Sequence, residues 1–143
     1  MMNADRAMVW MRVAKEIDTM STCPRRAVGC VILNDLGHVL ATGFNGMPSG
    51  MTSCFDDDCG ASLSPTRDNL DKCIAVHAEM NALMQLRSPR EATVIVTTSS
   101  PCKHCMKMLL NTSIEELIYE EKYDSDALVF WLQQGRRETC VTL

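Results

Sequence analysis

Two short motifs that combine metal-binding side chains with a helix start constrain this chain more than any other feature. The first is His77-Ala78-Glu79, and the second is Pro101-Cys102-Lys103-His104-Cys105. A β-branched run over Thr93–Thr98 lies between them and predicts a buried strand. Each motif lies at the N-terminus of a predicted helix. A fold that uses both motifs in one site must therefore bring two helix N-termini together.

The side chains of these motifs suit a catalytic zinc ion. Cys102 and Cys105 are three residues apart at a helix start, where the helix dipole favours thiolates. With His77 they provide two sulfurs and one nitrogen, a ligand set that zinc accepts. Three protein ligands leave the fourth position open to water, whose pKa zinc lowers towards about 7. His104, between the two cysteines, is predicted to point away from the metal.

Glu79 is predicted to be the catalytic acid and base rather than a fourth ligand. It follows His77 by two residues, in the first turn of the same predicted helix. A carboxylate beside the activated water can take its proton and deliver it to a leaving group. This chemistry favours hydrolytic removal of ammonia from an amidine-like ring carbon. The alternative is a core histidine, a non-catalytic zinc knuckle and a charge at a helix start.

Composition limits the kind of molecule that carries this site. The 143 residues are 46% hydrophobic and 22% charged, as in one globular domain. No apolar run reaches the roughly 18 residues of a membrane span, and the first residues do not resemble a signal peptide. The net charge of −4 provides no overall footprint for nucleic acid, which is not expected as a partner. Eight cysteines without a leader favour metal ligation or catalysis over disulfides, and a cytoplasmic location.

Helix and strand patterns alternate along the chain and predict a single α/β domain over residues 1–143 with a layered sheet. Asn34-Asp35-Leu36-Gly37 predicts a hairpin turn, and Gly135 a helix stop. Ser99-Ser100-Pro101 is expected to start a helix, with serine at the cap and proline in the first turn. The predicted helices are Ala4–Asp18, Ile74–Leu86, Ser99–Leu110 and Ser125–Gln134, and the predicted strands are Val28–Leu33, His38–Gly43, Thr93–Thr98, Glu116–Glu120 and Thr139–Val141.

Together these motifs resemble the deoxycytidylate (dCMP) deaminase family of the cytidine deaminase superfamily, whose zinc signature joins His-x-Glu to Pro-Cys-x-x-Cys. The resemblance covers nearly the whole chain: Cys23–Gly29, Gly43–Pro48, His77–Ala82, Ser100–Cys105, Tyr119 and Tyr123-Asp124. It implies a three-layer α/β/α sandwich with a central mixed sheet of about five strands. It also implies a homohexamer that converts dCMP to dUMP and ammonia for thymidylate synthesis. Zinc-activated hydroxide would attack C4, with dCTP as activator and dTTP as inhibitor, each with Mg²⁺.

The resemblance also implies contacts with the substrate. Asn45 would hydrogen-bond the deoxyribose, and Arg25 or Arg26 would lie near the 5′-phosphate, whose geometry suits a guanidinium fork. Tyr123 would pack on the base, and the backbone of Ala78 would bind the pyrimidine O2. The alternatives are solvated loop charges for the arginines, an ordinary core aromatic for the tyrosine and a plain turn residue for the asparagine.

An irregular insertion over residues 51–73 is long for a loop in a compact domain, and its cysteines predict a metal clip. Several proteins of the resembled family carry a second, structural zinc whose ligands vary. Four thiolates here would make such a closed site: Cys23, Cys54, Cys59 and Cys73. The alternative is scattered buried thiols, which is the expectation for Cys30 and Cys140 in their strand patterns.

Three other functions match the sequence less well. Adenosine deaminases acting on tRNA share both zinc motifs, but their loop asparagine lies much closer to the histidine than Asn45 lies to His77. Free cytidine deaminases typically have a cysteine in place of that histidine. A non-catalytic zinc protein that senses dNTPs would have no need of Glu79.

Overall fold

The computed structural model describes residues 1–55 and 73–143, so most of the insertion, including Cys59, lies outside the described residues. Within these two ranges the chain forms four helices and five strands. The helices are α1 (Ala4–Asp18), α2 (Ala78–Gln85), α3 (Lys103–Leu110) and α4 (Ser125–Gln133), and the strands are β1 (Gly29–Leu33), β2 (Val39–Phe44), β3 (Val94–Ser99), β4 (Glu116–Glu121) and β5 (Arg137–Cys140). In the described part of the chain, every helix is too short or too polar to span a lipid bilayer.

The five strands form one mixed sheet in the order β2-β1-β3-β4-β5. β1 runs antiparallel to both β2 and β3, whereas β3, β4 and β5 are parallel. Each parallel connection contains a helix, α3 or α4, as crossovers between parallel strands require. The predicted mixed sheet of five strands is confirmed.

Helices cover both faces of the sheet. On one face, α1 buries Ala7, Met11, Ala14 and Ile17 against Val31, Val96 and Ile118. The second core contains residues of α2, α3 and α4 with strand residues of the other face: Ala78, Ala82, Met106, Leu109, Leu128, Trp131, Ile32, Ile95 and Leu117. Because β1 and β3 are buried on both faces, their sequences are continuous apolar or β-branched runs rather than alternating ones. The three-layer sandwich is therefore as predicted.

The start of α2 differs from the prediction. The helix begins at Ala78, not at Ile74, because the residues before it are drawn into extended structure. Val76 forms an isolated β-bridge with Gly46, with N–H···O distances of 3.1 and 2.8 Å. His77, the N-cap, is also extended, with φ −71° and ψ 155°. The motif histidine is thus the last residue before the helix.

The start of α3 also differs from the prediction. The helix begins at Lys103, and its N-cap is Cys102 rather than a serine. Ser100 is occupied elsewhere: its hydroxyl accepts hydrogen bonds from the backbone N–H groups of Tyr123 at 2.8 Å and Asp124 at 3.4 Å. This contact ties the turn before α3 to the segment that follows β4.

The predicted turn and the two strand cysteines have mixed outcomes. Gly37 has φ +80°, and the Asn34 side chain accepts a hydrogen bond from the N–H of His38 at 2.8 Å, so the hairpin turn is confirmed. Cys30 is buried in β1 as expected. Cys140 lies in β5 but is exposed, because this strand is at the edge of the described sheet. That strand begins at Arg137, two residues before the predicted start, in a charged stretch without an apolar pattern.

Candidate active site

The two zinc motifs meet where the N-termini of α2 and α3 approach each other. The Nδ1 atom of His77 lies 3.3 Å from the Sγ of Cys105 and 3.5 Å from the Sγ of Cys102. The potential ligand atoms of these three side chains all lie within 4.8 Å of one another, so the side chains could hold one metal ion. His104 is exposed and outside the group, as predicted.

The spacing of these atoms fits a zinc ion. Bonds of about 2.1 Å to nitrogen and 2.3 Å to sulfur, at tetrahedral angles, hold the nitrogen and a sulfur about 3.6 Å apart. The observed separations of 3.3 and 3.5 Å are close to this value. Three protein ligands of this kind leave room for a fourth, exchangeable ligand, as a catalytic rather than a structural zinc requires.

Hydrogen bonds and burial shift the pKa values of the three clustered side chains. The hydrogen bond with the Cys105 thiol, helped by one with His77, lowers the pKa of Cys102 to about 4. That same bond with Cys102, together with burial, raises the pKa of Cys105. The hydrogen bond with Cys102 also raises the pKa of His77. The lowered pKa of Cys102 favours its thiolate, the form that binds metal.

Glu79 lies beside the three candidate metal ligands but outside their group. It is only 5% exposed, and its Oε2 lies within hydrogen-bond distance of the Sγ of Cys105, at 3.5 Å. Burial raises the pKa of its carboxyl group. A buried carboxyl with a raised pKa next to a metal site is suited to taking up and releasing a proton during catalysis.

Two of the predicted substrate residues, Arg26 and Tyr123, lie in contact. The guanidinium of Arg26 stacks over the ring of Tyr123, with its central carbon 4.3 Å from the ring centroid. Its Nη2 donates to the hydroxyl of Ser99 at 2.6 Å and pairs with Glu121 at 3.2 Å. Ser99 is the last residue of β3 and precedes Cys102 by three residues. Arg26 is therefore anchored to the strand end that leads into the turn carrying Cys102.

Asn45, the third predicted substrate side chain, holds the connector between α1 and β1. Its Nδ2 donates to the carbonyl of Arg26 at 2.7 Å. Its Oδ1 accepts from the N–H of Val28 at 2.9 Å and from the hydroxyl of Ser21 at 2.6 Å. The resemblance implied a contact between Asn45 and the sugar. It did not predict these hydrogen bonds to the connector, which join residues far apart in the chain.

The remaining predicted site residues are placed as follows. Ala78 is fully buried, and its carbonyl accepts a hydrogen bond from the thiol of Cys30 at 3.3 Å. Arg25 is half-buried in the connector. Of the proposed structural zinc ligands, Cys54 is buried and Cys23 and Cys73 are half-buried, while Cys59 lies outside the described residues. The four-thiolate site stays a prediction.

Comparison with known sequences gives a consistent result. Residues 4–121 match the family model described as "Cytidine and deoxycytidylate deaminase zinc-binding region". The chain is 36% identical over 120 residues to a deoxycytidylate deaminase of Saccharomyces cerevisiae, a match that covers 82% of this chain and 38% of that protein. It is 30% identical over 121 residues to a deoxycytidylate deaminase of Mycobacterium phage D29, covering 79% and 92% respectively. The chain thus spans well under half of the yeast relative but most of the phage one.

Comparison with solved structures agrees on the fold. The dCMP deaminase of cyanophage S-TIM5, in complex with dCMP and dUMP, has a TM-score of 0.81 and 27% identity, over 99% of this chain and 100% of that one. A mutant form of the cytidine deaminase of Mycobacterium tuberculosis shares the fold at a TM-score of 0.52 and 18% identity, over 80% and 84% of the two chains. Because the family model spans both zinc motifs and most of the sheet, the chain belongs to the cytidine and deoxycytidylate deaminase family.

Proposed function

We propose that the protein is a zinc-dependent deaminase that converts dCMP and water to dUMP and ammonia. The observation that carries this proposal is the cluster of His77, Cys102 and Cys105 with the buried Glu79 beside it. The choice of dCMP as substrate is supported by relatives of 30% and 36% identity that are named deoxycytidylate deaminases. It is further supported by the S-TIM5 enzyme, whose structure contains dCMP and dUMP.

The proposed roles divide between a bound metal and one carboxyl group. When held by His77, Cys102 and Cys105, zinc supplies a Lewis acid that lowers the pKa of a water molecule to about 7. Glu79 takes one proton from the attacking water and delivers it to ring nitrogen N3, and it then passes the remaining hydroxyl proton to the leaving amine as the C4 carbonyl forms. A C4–O bond forms, the C4–N4 bond breaks and ammonia leaves. The burial of Glu79, which is 5% exposed, keeps these proton transfers away from bulk water.

The proposed nucleotide contacts are those that the family resemblance implies. Tyr123 would pack on the base, Asn45 would bind the deoxyribose and the backbone of Ala78 would bind the pyrimidine O2. Between the two candidate arginines for the 5′-phosphate, we favour Arg26, because its guanidinium already stacks on Tyr123 and is anchored by Ser99. A planar guanidinium binds a phosphate with better geometry than an ammonium does. Arg25 is the alternative.

The first experiment is a direct assay in which dCMP is added to the zinc-loaded protein. Deamination is monitored as a loss of ultraviolet absorbance. We expect turnover of dCMP, a higher rate with dCTP and Mg²⁺, and a lower rate with dTTP and Mg²⁺. We also propose that the protein is regulated by these two nucleotides, forms a homohexamer and is located in the cytoplasm. Zinc-loaded protein that leaves dCMP unchanged but deaminates deoxycytidine or an adenosine in tRNA would contradict the proposed substrate.

A second, structural zinc is proposed at Cys23, Cys54, Cys59 and Cys73. It is supported by the burial of Cys54 outside any helix or strand, where a closed thiolate site would hold the chain in place. We expect Cys54→Ser to lower the zinc content by about one ion per chain and to destabilise the insertion. Metal analysis by mass spectrometry would measure this, with Cys140→Ser, an exposed thiol in β5, as the matched control. An unchanged zinc content in Cys54→Ser would remove the second site.

A further inference from the structure

The first turn of α2 rests on a position of the sheet that has no side chain. A Cβ atom added to Gly43 of β2 would lie 2.1 Å from the carbonyl oxygen of Ala78 and 2.7 Å from the backbone nitrogen of Ala82. Real Cβ contacts are essentially never shorter than 3.0 Å. Both atoms belong to the helix backbone, so they cannot rotate out of the way. Any side chain here would have to push the helix off the strand.

The neighbouring strand contacts the same carbonyl group. Cys30 of β1 pairs with Gly43 in the sheet register and is fully buried. Its thiol donates to the carbonyl oxygen of Ala78 at 3.3 Å. The Ala78 peptide therefore packs directly on the backbone of Gly43 in β2 and accepts a hydrogen bond from Cys30 in β1. Ala78 lies between His77 and Glu79, so any movement of this peptide moves both of them.

Further contacts fix α2 along the length of β2. Asn81 donates from Nδ2 to the carbonyl of Phe44 at 2.8 Å, and Gln85 donates from Nε2 to the carbonyl of Thr42 at 3.0 Å. These carbonyls belong to an edge strand of the described sheet, which α2 side chains thereby cover. Because the helix is fixed along the strand, a side chain at Gly43 could be accommodated only by lifting or tilting the first turn.

We propose that Gly43 is a positioning residue of the active site, assisted by Cys30. The glycine lets α2 approach the sheet closely enough for His77 to reach both thiols and for Glu79 to contact Cys105. An alanine at this position would need to displace the Ala78 carbonyl by about 1 Å to restore a normal contact, and errors of that size can cost about 10²-fold in rate. The inference rests on the proposed metal site but not on the identity of the nucleotide.

The chain provides a matched control at Gly29 of β1. A Cβ atom there would lie 2.2 Å from the carbonyl oxygen of Ala14 and 2.6 Å from the backbone nitrogen of Asp18, both in α1. The steric change is therefore of the same kind and size. However, α1 packs on the opposite face of the sheet and carries none of the site residues. Gly29→Ala thus reports the cost of separating a helix from this sheet without touching the metal cluster.

The experiment compares Gly43→Ala and Gly29→Ala in the full chain. The readouts are thermal unfolding, zinc affinity by chelator competition, the visible spectrum after cobalt substitution, and kcat and KM for dCMP per bound zinc. We expect both variants to unfold at lower temperature. Only Gly43→Ala should bind zinc more weakly, by at least about 10-fold, and shift the cobalt bands. It should also lower kcat more than it raises KM, because the reacting groups rather than the nucleotide contacts have moved.

Two results would overturn the proposal. In the first, Gly43→Ala has the zinc affinity and the cobalt spectrum of the wild-type protein. In the second, Gly29→Ala weakens zinc binding and shifts the cobalt bands as much as Gly43→Ala does. If Gly43→Ala does not fold, Cys30→Ala and Cys30→Ser decide instead: the alanine should weaken zinc binding and the serine, which keeps a donor, should restore it. Equal zinc affinity in those two variants would count against the proposal. A wild-type protein that binds zinc normally but leaves dCMP unchanged would contradict the substrate and not the role of Gly43.

Discussion

Glu79→Gln is expected to lower the turnover of dCMP by at least about 10²-fold while leaving the zinc content unchanged. The amide has nearly the same size as the carboxyl group, so the packing around this 5%-exposed side chain is kept. It cannot, however, take a proton from water or return one to the ring nitrogen and the leaving amine. Because Glu79 is not one of the three grouped metal ligands, the metal should bind as before.

The measurement is a steady-state rate per bound zinc, so that loss of metal is not mistaken for loss of chemistry. Glu16→Gln is a matched control, since Glu16 is an exposed glutamate on a helix that takes no part in the site. That variant should turn over dCMP within twofold of the wild-type rate. A Glu79→Gln rate within twofold of wild type would refute the proton-transfer role.

Local sequence patterns predicted most of the fold because they act over a few residues. The apolar spacing of α1 gave its observed bounds, Ala4–Asp18. Uninterrupted β-branched and apolar runs located β1 and β3, the strands buried on both faces. The candidate metal ligands and Glu79 could also be proposed from spacing, since three- and two-residue separations at helix starts already restrict where the side chains can reach.

The predicted starts of α2 and α3 were wrong, because hydrogen bonds to distant segments overrode the local helix-start signals. Nothing near Val76 in the sequence shows that Gly46 pairs with it and keeps the preceding residues extended. Ser100 and Pro101 carry the composition of a helix start, but the serine hydroxyl is used by the backbone of Tyr123. Both errors concern hydrogen bonds between segments more than 20 residues apart, which a local pattern does not contain.

Several features of the site and its support could come only from the three-dimensional structure. Arg136 is one example: its guanidinium donates to the carbonyls of Leu109 at 3.1 Å and Leu110 at 2.7 Å, and so satisfies the C-terminal end of α3. In the sequence it is an ordinary charge after a glycine. The close approach of Gly43 to Ala78 is another, because a glycine that precedes a loop usually serves backbone conformation rather than helix packing.

Cys105→Ser is expected to weaken zinc binding at the catalytic site by more than about 100-fold and to abolish deamination. Loss of a residue that merely supports a ligand already costs about 10- to 100-fold in metal affinity, so loss of a ligand should cost more. A serine hydroxyl replaces a thiolate with a weaker ligand. Cys105 is also fully buried between Glu79 and His77, so neighbouring side chains cannot easily replace it.

The two proposed metal sites make this result more informative when Cys54→Ser is measured beside it. Each single variant should lose about one zinc ion per chain, because the two sites share no ligand. Only Cys105→Ser should lose activity completely, since Cys54 belongs to the proposed structural site. Cys140→Ser, which changes an exposed thiol, should keep both the zinc and the activity. Full zinc content and normal turnover in Cys105→Ser would show that His77, Cys102 and Cys105 are not the metal centre, and the proposed mechanism would fall with them.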